Sequence, residues 1–176
     1  MTDQPSGAPL NREEILVLLK EKKLVIEPID EQSFSQYAYR LKPSEVRFTY
    51  RGQQGQVKTE ILSLKDSPFE LEALAHCVVA LQERILLNPG FVGQLFPSSH
   101  CIEKGLILTV GRIEPGYDKA LVLGVFNASR IPTTLSNETE IARISICRAT
   151  TLSTPLQQHP GAYIENVDTM RAFAQE

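Results

Sequence analysis

From Tyr37 onward the chain is a succession of short runs rich in β-branched and aromatic residues, each closed by a glycine or proline signal. The spacing predicts strands at Tyr37–Leu41, Val46–Tyr50, Val57–Ile61, Cys77–Leu81, Phe91–Leu95, Leu106–Val110, Ala120–Phe126 and Ile141–Ile146. Arg51-Gly52-Gln53-Gln54-Gly55, Asn88-Pro89-Gly90 and Glu114-Pro115-Gly116 supply the turns between them. Gly reaches backbone conformations closed to other residues, and Pro ends a ladder because it has no N–H to donate. Short strands at such spacing, without helical patterns in between, argue for an all-β sandwich or barrel rather than βαβ units.

The ends read differently. Residues 1–10 are rich in Pro, Gly and small polar residues, which predicts a mobile tail. A short amphipathic helix then starts at Asn11: its side chain is placed to accept from free backbone N–H groups, and Glu14 three positions on completes a capping box. Ile15, Leu16, Leu18 and Leu19 form its apolar stripe, and Leu24-Val25-Ile26-Glu27-Pro28 follows as a short strand stopped by proline. The β domain is expected over residues 11–148, with a C-terminal extension over 149–176. The extension carries a helical end at Val167–Ala174 and a tyrosine in Pro160-Gly161-Ala162-Tyr163, read either as a lid over a ligand or as an aromatic docked at a contact.

At 176 residues the chain has the size of one ordinary domain, and 42% hydrophobic against 22% charged residues is the balance of a globular protein. No run approaches the roughly 20 apolar residues of a membrane span, and Met1–Pro9 lacks the basic and apolar regions of a signal peptide, so a cytoplasmic protein without a membrane partner is expected. With a net charge of -3 and scattered basic residues, nucleic acid is not an expected partner either. Cys77, Cys101 and Cys147 are widely spaced and lack a C-x-x-C pair, so they are expected to be free and buried. His76, His100 and His159 stand alone, and no metal is assigned to protein side chains.

Several blocks resemble a known family. Asn11-Arg12-Glu13-Glu14-Ile15 followed by Lys23-Leu24-Val25-Ile26-Glu27-Pro28-Ile29-Asp30 looks like the opening of dCTP deaminases, and Tyr37-Ala38-Tyr39-Arg40-Leu41 resembles their next block with Ala38 in place of Asp. Leu108-Thr109-Val110-Gly111-Arg112-Ile113-Glu114-Pro115-Gly116-Tyr117 resembles the deaminase block Thr-Ala-Gly-x-Ile-Asp-Pro-Gly-Phe/Tyr and its shorter form in dUTPases. Ile141-Ala142-Arg143-Ile144 is similar to the family's Ile-Ala-Gln-Leu strand. The resemblance implies a distorted β-barrel or jelly roll of the dUTPase type. It also implies a homotrimer with nucleotide sites between subunits, where a pyrimidine deoxynucleoside triphosphate brings Mg²⁺ with it.

What the resemblance implies about chemistry is altered at the matched positions. The deaminases use a Glu in the strand after the Pro-Gly-Phe turn as general base, and counting along this chain puts Gly124 there. Their Arg-Ser-Ser segment corresponds to Pro97-Ser98-Ser99, so Pro97 replaces the Arg that helps hold phosphates. Glu114 stands where dUTPases carry the Asp that orients the attacking water, and Arg143 replaces the Gln of the last block. Candidate nucleotide-binding residues are therefore Ser98, Ser99, Arg112, Tyr117 and Arg143, with Glu114 the candidate catalytic carboxylate.

Two readings stay open at this stage. One is a non-catalytic homologue that binds a nucleotide or a protein partner, or serves as a regulatory or structural subunit. The other is an active dCTP deaminase or dUTP diphosphatase working through Glu114 with Ser98, Ser99 and Arg112. A bulge in the central strand would also bring another carboxylate to the base position, with Asp118 and Glu103 nearest, although each reads more simply as a solvated charge beside a lysine.

Overall fold

A computed structural model describes residues 7–149. The segments Pro160–Tyr163 and Val167–Ala174 lie outside the described residues. The helix α1 spans Arg12–Lys20, and its capping box is formed on both sides. The Glu14 backbone N–H donates to Asn11 Oδ1 at 3.0 Å, and the Asn11 N–H donates to Glu14 Oε2 at 3.1 Å. Ile15 and Leu18 face the core, as the stripe requires.

The strands are β1 (Leu24–Glu27), β2 (Tyr39–Leu41), β3 (Pro43–Arg51), β4 (Val57–Ser63), β5 (Phe69–Leu71), β6 (His76–Leu87) and β7 (Phe91–Pro97). After the short helix α2 (Ser99–Lys104) come β8 (Leu106–Leu108), β9 (Arg112–Ile113), β10 (Asp118–Asn127), β11 (Thr133–Leu135) and β12 (Ala142–Arg148). A 6-stranded sheet runs β4-β3-β6-β10-β8 with β1 also on β6, a 4-stranded sheet runs β2-β12-β7-β9, and β11 pairs with β5. The pairings are antiparallel, for example Leu24 opposite Leu87 and Ala142 opposite Pro97. Side chains alternate across each strand, so Val79, Leu81 and Ile85 of β6, Leu123 and Val125 of β10, and Ile144 and Ile146 of β12 meet in one core. Burying each such side chain contributes about 1.5–3 kcal/mol.

The mainly β fold matches the expectation, although the sheets do not close into one continuous ring. The expected tail ends sooner than composition suggested. Leu10 is fully buried, its N–H donates to Ile146 O at 2.7 Å, and Gly7 N donates to Arg148 O at 3.1 Å, so residues 7–10 lie along β12. One apolar residue outweighed its three small neighbours Gly7, Ala8 and Pro9 because it had a core to enter. The strand expected at Cys77–Leu81 continues to Leu87, carrying Gln82, Glu83 and Arg84 through the sheet. The strands β5, β9 and β11 were not anticipated; at two or three residues they carry no periodicity and depend on a partner strand.

Cys77, Cys101 and Cys147 are free and buried, as expected. Burial pushes the Cys77 thiol up to about 12, which leaves it protonated and unreactive. Among the described residues no helix is long and apolar enough to cross a membrane.

Candidate functional site

The central block builds a groove beside β10. β8 ends at Leu108, the chain leaves the sheet through Thr109–Gly111, returns as β9, and reverses at Glu114-Pro115-Gly116-Tyr117 before entering β10. Gly116 takes a positive φ of 86°, which a residue with a Cβ adopts only with strain. The turn is tied down by Gly116 N donating to Leu87 O at 2.6 Å and Leu87 N to Tyr117 O at 3.0 Å. Leu95 N donates to Gly111 O at 3.1 Å and holds the other side of the loop against β7. Between these anchors lies a cavity of about 610 Å³, open to solvent, lined by Thr109, Val110, Arg112, Glu114, Tyr117 and Val122 among others. Its size falls in the range typical of small-molecule sites. Glu114 and Arg112 are exposed on the wall, and Tyr117 is half-buried with its hydroxyl donating to Ala120 O at 3.0 Å. Three of the sequence candidates, Arg112, Glu114 and Tyr117, thus share one cavity.

Gly124 sits on β10 next to this groove, opposite Val78 of β6. Its N–H donates to Thr109 Oγ1 at 2.7 Å and its carbonyl accepts from Thr109 N–H at 2.9 Å. A Cβ at this position would lie 2.9 Å from Thr109 Oγ1 and 3.0 Å from His76 Nε2. The first distance requires Thr109 to shift, and the second is a tight contact that a small movement of the exposed His76 ring relieves. Glycine is thus part of the local packing, and a carboxylate at 124 would need a different arrangement of Thr109 and His76.

The remaining candidates gather elsewhere, at the start of α2. Ser98 is fully buried; its hydroxyl donates to Glu140 O at 2.6 Å and accepts from Cys101 N at 3.1 Å. These bonds make it the N-cap of α2. Ser99 is exposed, and its hydroxyl accepts from Arg143 Nη2 at 3.2 Å. Arg143, on β12 opposite Phe96 and Arg40, also holds Glu140 through Nε at 2.6 Å. Its guanidinium therefore reaches the residues after Pro97 from the neighbouring strand, where the proline itself offers no donor. Ser98, Ser99 and Arg143 are not among the residues that line the groove.

Asp118 is committed to Arg84 Nη2 at 2.5 Å, and Glu103 is an exposed residue of α2, so neither stands at Gly124. Sequence reasoning passed over His76, which appeared as an isolated residue, and Glu83, which appeared as part of a polar break. Glu83 is only 3% exposed, and burial pushes its carboxyl up to about 7 although Lys42 N–H donates to it at 3.2 Å. Strand alternation counted on from Val79 and Leu81 would have placed Glu83 inside.

A family model described as dCTP deaminase-like matches residues 9–149. The chain belongs to the dCTP deaminase-like family. It is 29% identical to the dCTP deaminase of Thermococcus kodakarensis over 128 residues, covering 72% of this chain and 77% of that protein. It is 24% identical to the dUMP-forming dCTP deaminase of Nanoarchaeum equitans over 144 residues, covering 81% of this chain and 70% of that one. In fold it is similar to the crystal structure of 2'-deoxycytidine 5'-triphosphate deaminase from Agrobacterium tumefaciens, with a TM-score of 0.67 at 16% identity over 82% of this chain. The match spans about half (49%) of that longer chain. It is also similar to a dUTPase from phage phi11 of S. aureus, with a TM-score of 0.51 at 13% identity, covering 79% of this chain and 99% of that one. Within this family fold, the two patches described above lie on the blocks whose resemblance to the deaminases was read from sequence.

Proposed function

We propose that this protein is a non-catalytic, nucleotide-binding homologue of the dCTP deaminases, assembled as a homotrimer in the cytoplasm. The observation that carries the reading is the packing at residue 124. A general base must stand within hydrogen-bond reach of the water it activates. Here Thr109 and His76 pack beside a glycine instead, and the one carboxylate of β10, Asp118 at its start, pairs with Arg84. Binding survives the change better than chemistry does, because the groove with Arg112, Glu114 and Tyr117 is intact and Arg143 with Ser99 supplies charge and a hydroxyl for phosphates. In a trimer the α2 patch of one subunit completes the groove of another, which accounts for their separation within one chain. Mg²⁺ then enters with the triphosphate.

The test is to incubate the protein with dCTP or dUTP and Mg²⁺ while following product formation, and to titrate both nucleotides by calorimetry. Binding without deamination is expected, and loss of a general base typically removes about 10²–10⁴ in rate. Gly124→Glu alone should not restore activity, since the new side chain meets Thr109 and His76; combined with Pro97→Arg it has the better prospect. Robust deamination of dCTP by the unmodified protein, abolished by Glu114→Gln and indifferent to substitution at Gly124, would sink the reading. One observation favours a second reading: Glu114 lines the same cavity as Arg112 and Tyr117, the place a dUTP diphosphatase needs its carboxylate. Turnover of dUTP that is lost in Glu114→Gln would establish it.

A further inference from the structure

Arg40 of β2 and Arg143 of β12 stand directly opposite each other in the antiparallel register. Like charges in that position repel, so the pair calls for an anion between them. Glu140 supplies one: Arg143 Nε donates to its Oε1 at 2.6 Å, and Arg40 Nε lies 3.7 Å from its Oε2. The second distance exceeds hydrogen-bond length, so the Arg40 guanidinium makes no hydrogen bond among the described residues. Asp30 feels the Arg40 charge too, but its carboxylate is engaged by Gln32 N–H, the Ser33 hydroxyl and Lys42. Two guanidiniums against one carboxylate leave an excess of positive charge, on side chains that are 43% and 36% exposed. We propose that Arg40 joins Arg143 in a two-guanidinium site for a phosphate chain, and that Glu140 is an internal anion which the phosphates displace from it.

The exchange needs only a side-chain rotation. The backbone at Glu140 is fixed, because its carbonyl accepts from the Ser98 hydroxyl at 2.6 Å and Ser98 N–H donates to Ile141 O at 3.1 Å. The Glu140 side chain is a quarter exposed, so its carboxylate turns out into water while the strand stays in place. A carboxylate brings one charge. A phosphate chain brings several, on oxygens that engage two guanidiniums at once, the arrangement in which arginine binds anions best. Polyphosphates therefore win the site, with an affinity lowered by the release of Glu140. An anion of single charge gains too little to replace a carboxylate already held on the same strand.

This inference rests on the reading of Arg143 as a phosphate ligand, and the experiment separates the two. The full chain is titrated by calorimetry with inorganic tripolyphosphate and, separately, with dUTP and Mg²⁺. Glu140→Gln keeps an acceptor for Arg143 and removes the competing charge, so it should bind tripolyphosphate about fivefold more tightly than wild type, the worth of a part-exposed ion pair. Glu138→Gln makes the same change of charge two residues away, on a side chain that pairs with Lys42 at 2.9 Å, and should leave the affinity near wild type. Adding Arg40→Gln to Glu140→Gln should weaken binding by about tenfold, since a charge-assisted contact is lost. Thermal unfolding of each variant establishes that it is folded. Equal or weaker binding by Glu140→Gln, an equal gain in Glu138→Gln, or indifference to Arg40→Gln overturns the internal-anion site, whatever dUTP does. Tripolyphosphate binding with the expected order of variants, but without displacement by dUTP, leaves this site standing and removes the nucleotide reading instead.

Discussion

Glu83→Gln should make the protein more stable at slightly alkaline pH and remove a pH dependence from its unfolding. Glu83 lies inside β6 at 3% exposure, and its carboxyl is pushed up from 4.5 to about 7, first by burial and then by the charge of Asp30, against the pull of the Lys42 N–H and ammonium. Between those two values the folded protein holds a proton that the unfolded chain has released. Stability is therefore fully present below about pH 4.5 and is lost as pH rises through about 7, the reverse of the usual paired carboxylate. At about 1.4 kcal/mol per decade of pH, the loss amounts to roughly 3 kcal/mol once the group is ionised in both states. The neighbours with shifted values act outside this window: Asp30 is held low and Lys42 high, so they contribute below and above it. Gln keeps an acceptor for the Lys42 N–H and carries no charge. Urea midpoints at fixed protein concentration, at pH 5 and pH 8, supply the assay. The wild-type midpoint should fall between them while that of Glu83→Gln stays nearly level and exceeds wild type at pH 8. Parallel curves for the two proteins would refute the reasoning, since they would mean that Glu83 ionises in the folded state as freely as in the unfolded chain.

Further outcomes follow from local geometry. Ser98→Ala removes the cap of α2 and leaves Cys101 N and Glu140 O without their partner, so it should lower stability by about 1–2 kcal/mol in a denaturant titration. Asn11→Ala should cost about 1 kcal/mol through the capping box of α1 and leave the assembly intact, and an unchanged midpoint would mean that this cap carries no weight. Light scattering should give about three times the 19.6 kDa of the chain, and a monodisperse monomer at micromolar concentration would remove the shared-site reading.

The amino-acid order alone determined what depends on neighbours in sequence. Asn11 and Glu14 are three residues apart, so the capping box of α1 was visible before any fold. The alternation of Leu24-Val25-Ile26-Glu27 and the Gly and Pro signals around 88–90 and 114–116 likewise placed strands and turns that the structure contains. Arg112, Glu114 and Tyr117 lie within one turn and its flanking strand, so their grouping was also legible. Tertiary structure decided whatever depends on which strands become neighbours. Leu10 turned from tail to core because β12 lies beside it, and Ser98 became a buried cap because Glu140, far along the chain, receives its hydroxyl. The same holds at Gly124. Counting along the chain put a glycine in the strand, but only the pairing of β10 with β6 and β8 brings His76 and Thr109 beside it, since strand pairing joins residues by register and not by sequence distance.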